Sequence, residues 1–265
     1  MSGSSTKAVV TGGTSGIGLA IVKEFVRKGF VVYALARREA ELPEGAHFIP
    51  CDVTDESSCA AAVKEIVSRD RRIDVLVNNA GFGISGAVEF SELADAYRQF
   101  DVNFFGMVNM TKAVLPVMRE NGHGRIINMS SVAAVTPIPY QTYYSASKAA
   151  INSYTMALQN EVRGHNIKVS ALMPGDVKTG FTAARAKSME GAEVYPALEK
   201  SVRTMEHDEQ NGMPPETLAR RAYCIASRRN PKPLYSCGFS YKLFCVLAKL
   251  LPNRLVNWIL YKIYG

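Results

Sequence analysis

The chain has 265 residues, is 47% hydrophobic and 21% charged, and carries five cysteines and a net charge of +7. That length accommodates one large α/β domain with a substantial core. No apolar run approaches the roughly 20 residues that span a bilayer, and Cys51, Cys59, Cys224, Cys237 and Cys245 show neither CxxC spacing nor partner histidines, so a membrane-spanning anchor, a zinc site and a redox pair are not expected.

From Lys7 the chain enters an apolar strand pattern at once, so no secretory signal is expected, and its unpatterned thiols fit a reducing compartment. A cytoplasmic location is expected. Apolar runs predict strands over 7–11, 30–35, 47–49, 75–77, 125–129 and 168–172. Helix-period segments predict helices over 17–28, 56–68, 93–119 and 142–162. Strand and helix in strict alternation imply parallel βαβ units, hence a doubly wound Rossmann-type sheet whose ligand site lies beyond the carboxyl ends of the strands.

The first such end carries Thr11-Gly12-Gly13-Thr14-Ser15-Gly16-Ile17-Gly18, between a strand and a helix. Glycines there let the backbone approach a pyrophosphate whose charge sits on the free N–H groups of the helix start. After the second strand the sequence reads Ala36-Arg37-Arg38 and offers no acid for a ribose 2′-hydroxyl. Two guanidiniums suit a 2′-phosphate instead, so NADP(H) is the expected cofactor. Asp52 and Val53 follow the third strand, and Asn78, Asn79, Ala80 and Gly81 the fourth. These short residues suit contact with an adenine edge or support of the crevice, although turn chemistry also favours them.

Tyr144 and Lys148 lie four residues apart where the helix over 142–162 begins, which stacks a phenol and an ammonium on one face. A nearby cation stabilises a phenolate and brings proton transfer within reach of neutral pH.

Taken in order, TGxxxGxG, NNAG, Asn103 in Asp101-Val102-Asn103, Ser131 thirteen residues before Tyr144, YxxxK and Pro174-Gly175 resemble the short-chain dehydrogenase/reductase family over residues 7–179. The resemblance implies a catalytic tetrad of Asn103, Ser131, Tyr144 and Lys148. Ser131 would polarise the substrate carbonyl and Tyr144 would pass the proton. Lys148 would lower the tyrosine's pKa and hold the nicotinamide ribose, while Asn103 would seat a relay water. The same resemblance gives Pro174, Gly175, Val177 and Thr179 to the nicotinamide end of the cofactor. Ser130 and Tyr143 sit one residue off; four residues beyond Tyr143 stands Ser147 rather than lysine, which sets the register on Tyr144.

The carboxyl-terminal third departs from the family's soluble members, with no DGG-like strand and tail. From Leu218 onward there are nine Lys or Arg residues and no Asp or Glu. Pro231 and Pro233 break the pattern, and two basic amphipathic helices are expected after them, separated at Pro252. The expected organisation is a catalytic domain over 1–233, with a substrate lid at about 176–213, and a helical extension over 234–265. Phe181, Met189, Tyr195, Met205 and Met213 in the lid, with Phe82, Ile84, Ile138 and Tyr140, outline a large apolar pocket.

The expected reaction is therefore the interconversion of a secondary alcohol and a ketone on a bulky lipophilic substrate. A hydroxysteroid or bile acid leads; a membrane-surface reductase of retinoid, sphingoid or fatty ketones is the alternative, and a catalytically silent NADP(H)-binding regulator is the rival from another class. No metal or nucleic-acid partner is expected, whereas a homodimer or homotetramer and peripheral membrane contact through the tail are.

Overall fold

The computed structural model describes residues 5–264. Its elements, in chain order, are β1 (Lys7–Thr11), α1 (Gly16–Arg27), β2 (Val31–Ala36), β3 (Ala46–Pro50), α2 (Glu56–Asp70), β4 (Val75–Asn78), β5 (Ile84–Ser85), α3 (Leu93–Phe100), α4 (Gly106–Glu120) and β6 (Gly124–Met129). They continue with α5 (Thr142–Glu161), β7 (Ile167–Pro174), α6 (Phe181–Ala184), β8 (Ala186–Lys187), α7 (Ala197–Gln210), α8 (Pro215–Ala226), β9 (Leu234–Cys237), α9 (Phe239–Leu250) and α10 (Asn253–Tyr264).

Seven strands form one sheet in the order β3-β2-β1-β4-β6-β7-β9, and every pairing is parallel. Because both faces of a parallel sheet are covered, its strands read as continuous apolar runs, as in Ala8, Val9 and Val10 of β1, all fully buried. Residues alternate between two cores. Val10 joins Ile21, Val22 and Phe25 of α1 and Leu218, Ala222 and Ile225 of α8 on one face. Val9 joins Ile66 of α2, Met110 and Val114 of α4 and Leu158 of α5 on the other. Each fully buried side chain of Ile21, Val22 or Phe25 contributes about 1.5–3 kcal/mol.

The strand order reverses between β1 and β4, and the crevice at that switch point receives the ends of both strands.

Three features differ from the expected elements. The helix predicted over 93–119 is α3 and α4 joined by a π-helical turn at Asp101–Phe105; the inserted residue has no signature in hydrophobic period. A seventh strand, β9, lies beyond Pro233 and pairs with β7. The prolines precede it, and the Pro233 carbonyl accepts from Ala171 N at 2.7 Å, so they lead into an edge strand rather than stop one. The sheet thus runs past residue 233, and the tail helices begin at Phe239. Finally, β5 and β8 form a two-stranded ribbon that ties the lid to the segment after β4.

Candidate active site

Tyr144 and Lys148 lie on the first turns of α5, and Ser131 lies just beyond the end of β6. Ser131 caps a short 3₁₀ turn, its Oγ accepting from Ala133 N at 3.1 Å, and the same hydroxyl lies near enough to Tyr144 to favour its phenolate. The neighbouring Ser130 is otherwise engaged: its Oγ donates to the Lys148 carbonyl at 3.1 Å. Of the two serines, Ser131 is the one whose hydroxyl acts on the tyrosine.

Lys148 is buried, and its Nζ donates to the carbonyl of Met129 at 2.9 Å and lies 5.6 Å from the centre of the Tyr144 ring. Burial pushes the ammonium down to about 8. The expected lowering of the tyrosine does not appear: burial raises the phenol to about 12, and the nearby Ser131 hydroxyl offsets only part of that. Desolvation of the phenolate outweighs what the surrounding groups return.

Asn103 sits in the π-helical turn and is buried, a placement common at functional sites. Its Oδ1 accepts from Phe82 N at 3.0 Å, and its Nδ2 donates to the Phe82 carbonyl at 3.0 Å and to Ser147 Oγ at 3.3 Å. A Cβ on Gly81 would lie 3.1 Å from Asn103 Oδ1 and 3.7 Å from Lys148 Nζ, so Gly81 keeps open the space between the amide and the ammonium.

The crevice beside this group fits a dinucleotide. Gly12 and Gly16 have φ of +63° and +50°, and a side chain on Gly18 would collide with the Gly12 carbonyl. Ser15 is exposed and makes no side-chain cap, so the first N–H groups of α1, with Thr14 and Ile17 beside them, are free for phosphate oxygens. Across the crevice, a Cβ on Gly16 would lie 3.6 Å from that of Thr179. Arg37 and Arg38 project exposed from the end of β2. The Arg37 charge reaches Asp52, whose carboxyl is held low chiefly by hydrogen bonds from Thr54 and also by that guanidinium.

Of the two roles expected for the residues after β4, adenine contact or support of the crevice, the hydrogen bonds of Asn79 fit the second. Its Nδ2 donates to the Thr11 carbonyl at 3.0 Å, and the Asn79 and Ala80 amides both donate to Thr11 Oγ1. Val53 is buried against Gly106. Pro174 ends β7, Gly175 lies under the Tyr241 ring, and Val177 bridges to Met213.

Sequence reasoning missed the lid's ion pair. Arg185 pairs with Glu209 of α7, and its guanidinium lies 5.6 Å from the Phe181 ring, which itself stands 6.0 Å from Tyr144. Their separation of 24 residues has no local spacing to announce it.

A parallel sheet with a phosphate turn at its switch point and a Ser-Tyr-Lys group at the strand ends defines a nicotinamide-dependent oxidoreductase. The family profile described as "short chain dehydrogenase" matches residues 6–190, and the chain belongs to the short-chain dehydrogenase/reductase family. It is 38% identical to the 3-ketodihydrosphingosine reductase of Bacteroides thetaiotaomicron over 97% of both chains. It is 31% identical to the NADPH-dependent 3-dehydrocapnine reductase of Ornithobacterium rhinotracheale over 96% of both. Among solved structures, a short-chain dehydrogenase from Streptomyces avermitilis aligns over 97% of both chains with a TM-score of 0.87 and 29% identity.

Proposed function

We propose that this protein is an NADP(H)-dependent reductase of long-chain ketones of the sphingoid type, working at a membrane face. The observation that carries the reading is the tail. Along α9 and α10, Phe239, Leu250 and Trp258 are 86%, 75% and 56% exposed, with Leu243, Val246 and Tyr261 also open. Apolar faces of this extent mark an interaction surface. Lys242, Lys249, Arg254 and Lys262 lie on the same helices, which contain no acid, a charge pattern complementary to anionic lipid. A cavity of about 380 Å³ beside them is lined by Arg220, Arg221 and Lys242.

The inner faces of the tail meet the substrate side of the enzyme. Tyr241 donates a hydrogen bond to Asp176, and Tyr264 packs with Leu198, Val202 and Met205 of the lid. Lipid contact would thus put the pocket mouth near the bilayer. No helix among the described residues is long and apolar enough to cross a membrane. The name of one relative, the 3-ketodihydrosphingosine reductase, supports a sphingoid substrate over the hydroxysteroid expected first.

In this reading the bound cofactor supplies the hydride. Ser131 donates to the ketone oxygen, and Tyr144 gives that oxygen its proton as charge builds on it. Lys148 holds the nicotinamide ribose and keeps a positive charge near the phenol. Asn103, across the space at Gly81, positions the water that returns the proton. Arg37 and Arg38 hold the 2′-phosphate, in keeping with the NADPH dependence named for one relative.

NADPH oxidation followed by absorbance, with 3-ketodihydrosphingosine beside a 3-ketosteroid and a keto bile acid, tests the substrate. Faster turnover of the steroid ketone would overturn the reading. Flotation of the full chain with vesicles of phosphatidylglycerol and phosphatidylcholine tests the surface. Flotation that rises with the anionic fraction supports it, and a stable dimer that buries the tail and ignores vesicles removes it.

A further inference from the structure

Arg185 stands out among the buried polar groups of the molecule. Its side chain is fully buried, where a guanidinium persists only if paired and hydrogen-bonded. One edge is satisfied: Nη2 pairs with Glu209, and with its amide oxygen turned inward Gln141 accepts from Nη2 at 3.2 Å and Nε at 3.3 Å. Glu209 is itself braced by the Thr182 hydroxyl at 2.6 Å. Nη1, on the other edge, is buried and finds no acceptor among the described residues. A charged donor left so is costly unless something supplies an oxygen.

The surroundings of that donor identify what supplies it. The guanidinium stacks beside Phe181, whose ring lies against Tyr144, and Gln141 is the residue that precedes α5, three before the tyrosine. Gly83 lies close on the remaining side, where a Cβ would come within 3.6 Å of Nε. The free donor thus belongs to a guanidinium one aromatic ring away from the Tyr144 phenol, in the segment expected to form the substrate lid. Glu209 neutralises the guanidinium, so the free edge suits a neutral oxygen, such as a hydroxyl, better than an anion.

We propose that Arg185 is a specificity-determining residue whose Nη1 donates to a hydroxyl oxygen on the polar head of the ketone substrate, close to its carbonyl. This rests on the long-chain ketone reading and adds to it the feature that separates a sphingoid ketone from a plain fatty ketone. Gln141 and Glu209 are positioning residues that hold the guanidinium edge-on. The alkyl chain is left to the apolar side of the pocket.

The test compares kcat/KM with NADPH for two ketones, 3-ketodihydrosphingosine, with its 1-hydroxyl, and 2-aminooctadecan-3-one, which keeps the amine and lacks that hydroxyl. The wild type should prefer the first by about 10- to 100-fold, the size of one hydrogen bond to a charged donor. Arg185→Met alone strands Glu209 in a buried site, so Arg185→Met/Glu209→Gln is measured beside it. In the double variant the preference should fall toward one, through a rise in KM for the ketone with the hydroxyl. Equal rates on both ketones in the wild type overturn the role of Arg185 and leave the long-chain reading standing. A variant in which both substrates lose the same factor, with the preference intact, shows a purely structural pair and also overturns it. A wild type that reduces neither ketone overturns both proposals.

Discussion

Lys148 Nζ donates to the Met129 carbonyl at 2.9 Å, tying the second turn of α5 to the last residue of β6. The bond fixes the ammonium beside Tyr144 while burial weakens its hold on its proton. The charge is present below about pH 8 and lost above it, whereas the phenol, raised to about 12, stays protonated throughout. Ketone reduction needs both the cation and the phenolic proton. Its kcat/KM should therefore be level below about pH 8 and fall about tenfold per pH unit above it. A pH profile with the alkaline limb centred near the ordinary lysine value would remove the depressed ammonium.

Tyr144→Phe should lower kcat by at least about 10³-fold, since general acid catalysis and the hydroxyl's position are lost together. NADPH binding, read by fluorescence quenching, should survive. Tyr143→Phe, one residue away, should leave kcat within about twofold. Comparable losses in the two variants would contradict the register that puts Tyr144, four residues before Lys148, at the reaction.

The candidate site is legible in the sequence because its parts lie at strand ends and helix starts, where local spacing fixes position: Gly12 to Gly18, Ser131, and Tyr144 with Lys148. The sheet was legible in the same way, up to β7. Hidden from the sequence were features made by long-range contact or by a local change of helix period. Asn103 was identified by motif, but the π-helical turn that buries it leaves no mark in apolar spacing. Arg185 and Glu209 meet only because the lid folds back over α5. Strand β9 follows two prolines that read as a stop until Pro233 is seen pairing at the sheet edge. The phenol's raised pKa was also out of reach, since the depth of a side chain is a property of the packed site.

Arg37→Ala/Arg38→Ala should lower kcat/KM for NADPH by about 10- to 100-fold, the range for losing charge-assisted bonds to a phosphate. With NADH, which has no 2′-phosphate, the change should stay within about threefold. Both residues are exposed, so the loss should shrink as salt rises. Equal effects on the two cofactors would assign the 2′-phosphate elsewhere.

Gly81→Ala places a methyl 3.1 Å from Asn103 Oδ1 and 3.7 Å from Lys148 Nζ. The first contact is tight enough that Asn103 or its loop must shift by a few tenths of an ångström, and the water position between the two groups is lost. We expect kcat to drop by about 10-fold or more. A solvent isotope effect on kcat larger than that of the wild type should accompany the drop, as proton return becomes slower. An unchanged kcat would show that the proton leaves by another route.

Tyr241 reaches from α9 to donate a hydrogen bond to Asp176, and its ring fills the space over Gly175 and Gly238. Burial raises the Asp176 carboxyl, and the Tyr241 hydroxyl works against that rise. Tyr241→Phe keeps the ring but leaves the half-buried carboxylate without its donor, so stability should fall by about 1–3 kcal/mol. The loss belongs to the ionised carboxylate: it should be full at neutral pH and vanish as acid protonates Asp176. Asp176 stands between Gly175 and Val177, so the loosened loop should also raise the KM for NADPH. Denaturant melts at neutral and acid pH, with cofactor titrations, separate the two effects. A stability loss that does not change with pH would mean that the hydroxyl acts on something other than this carboxylate.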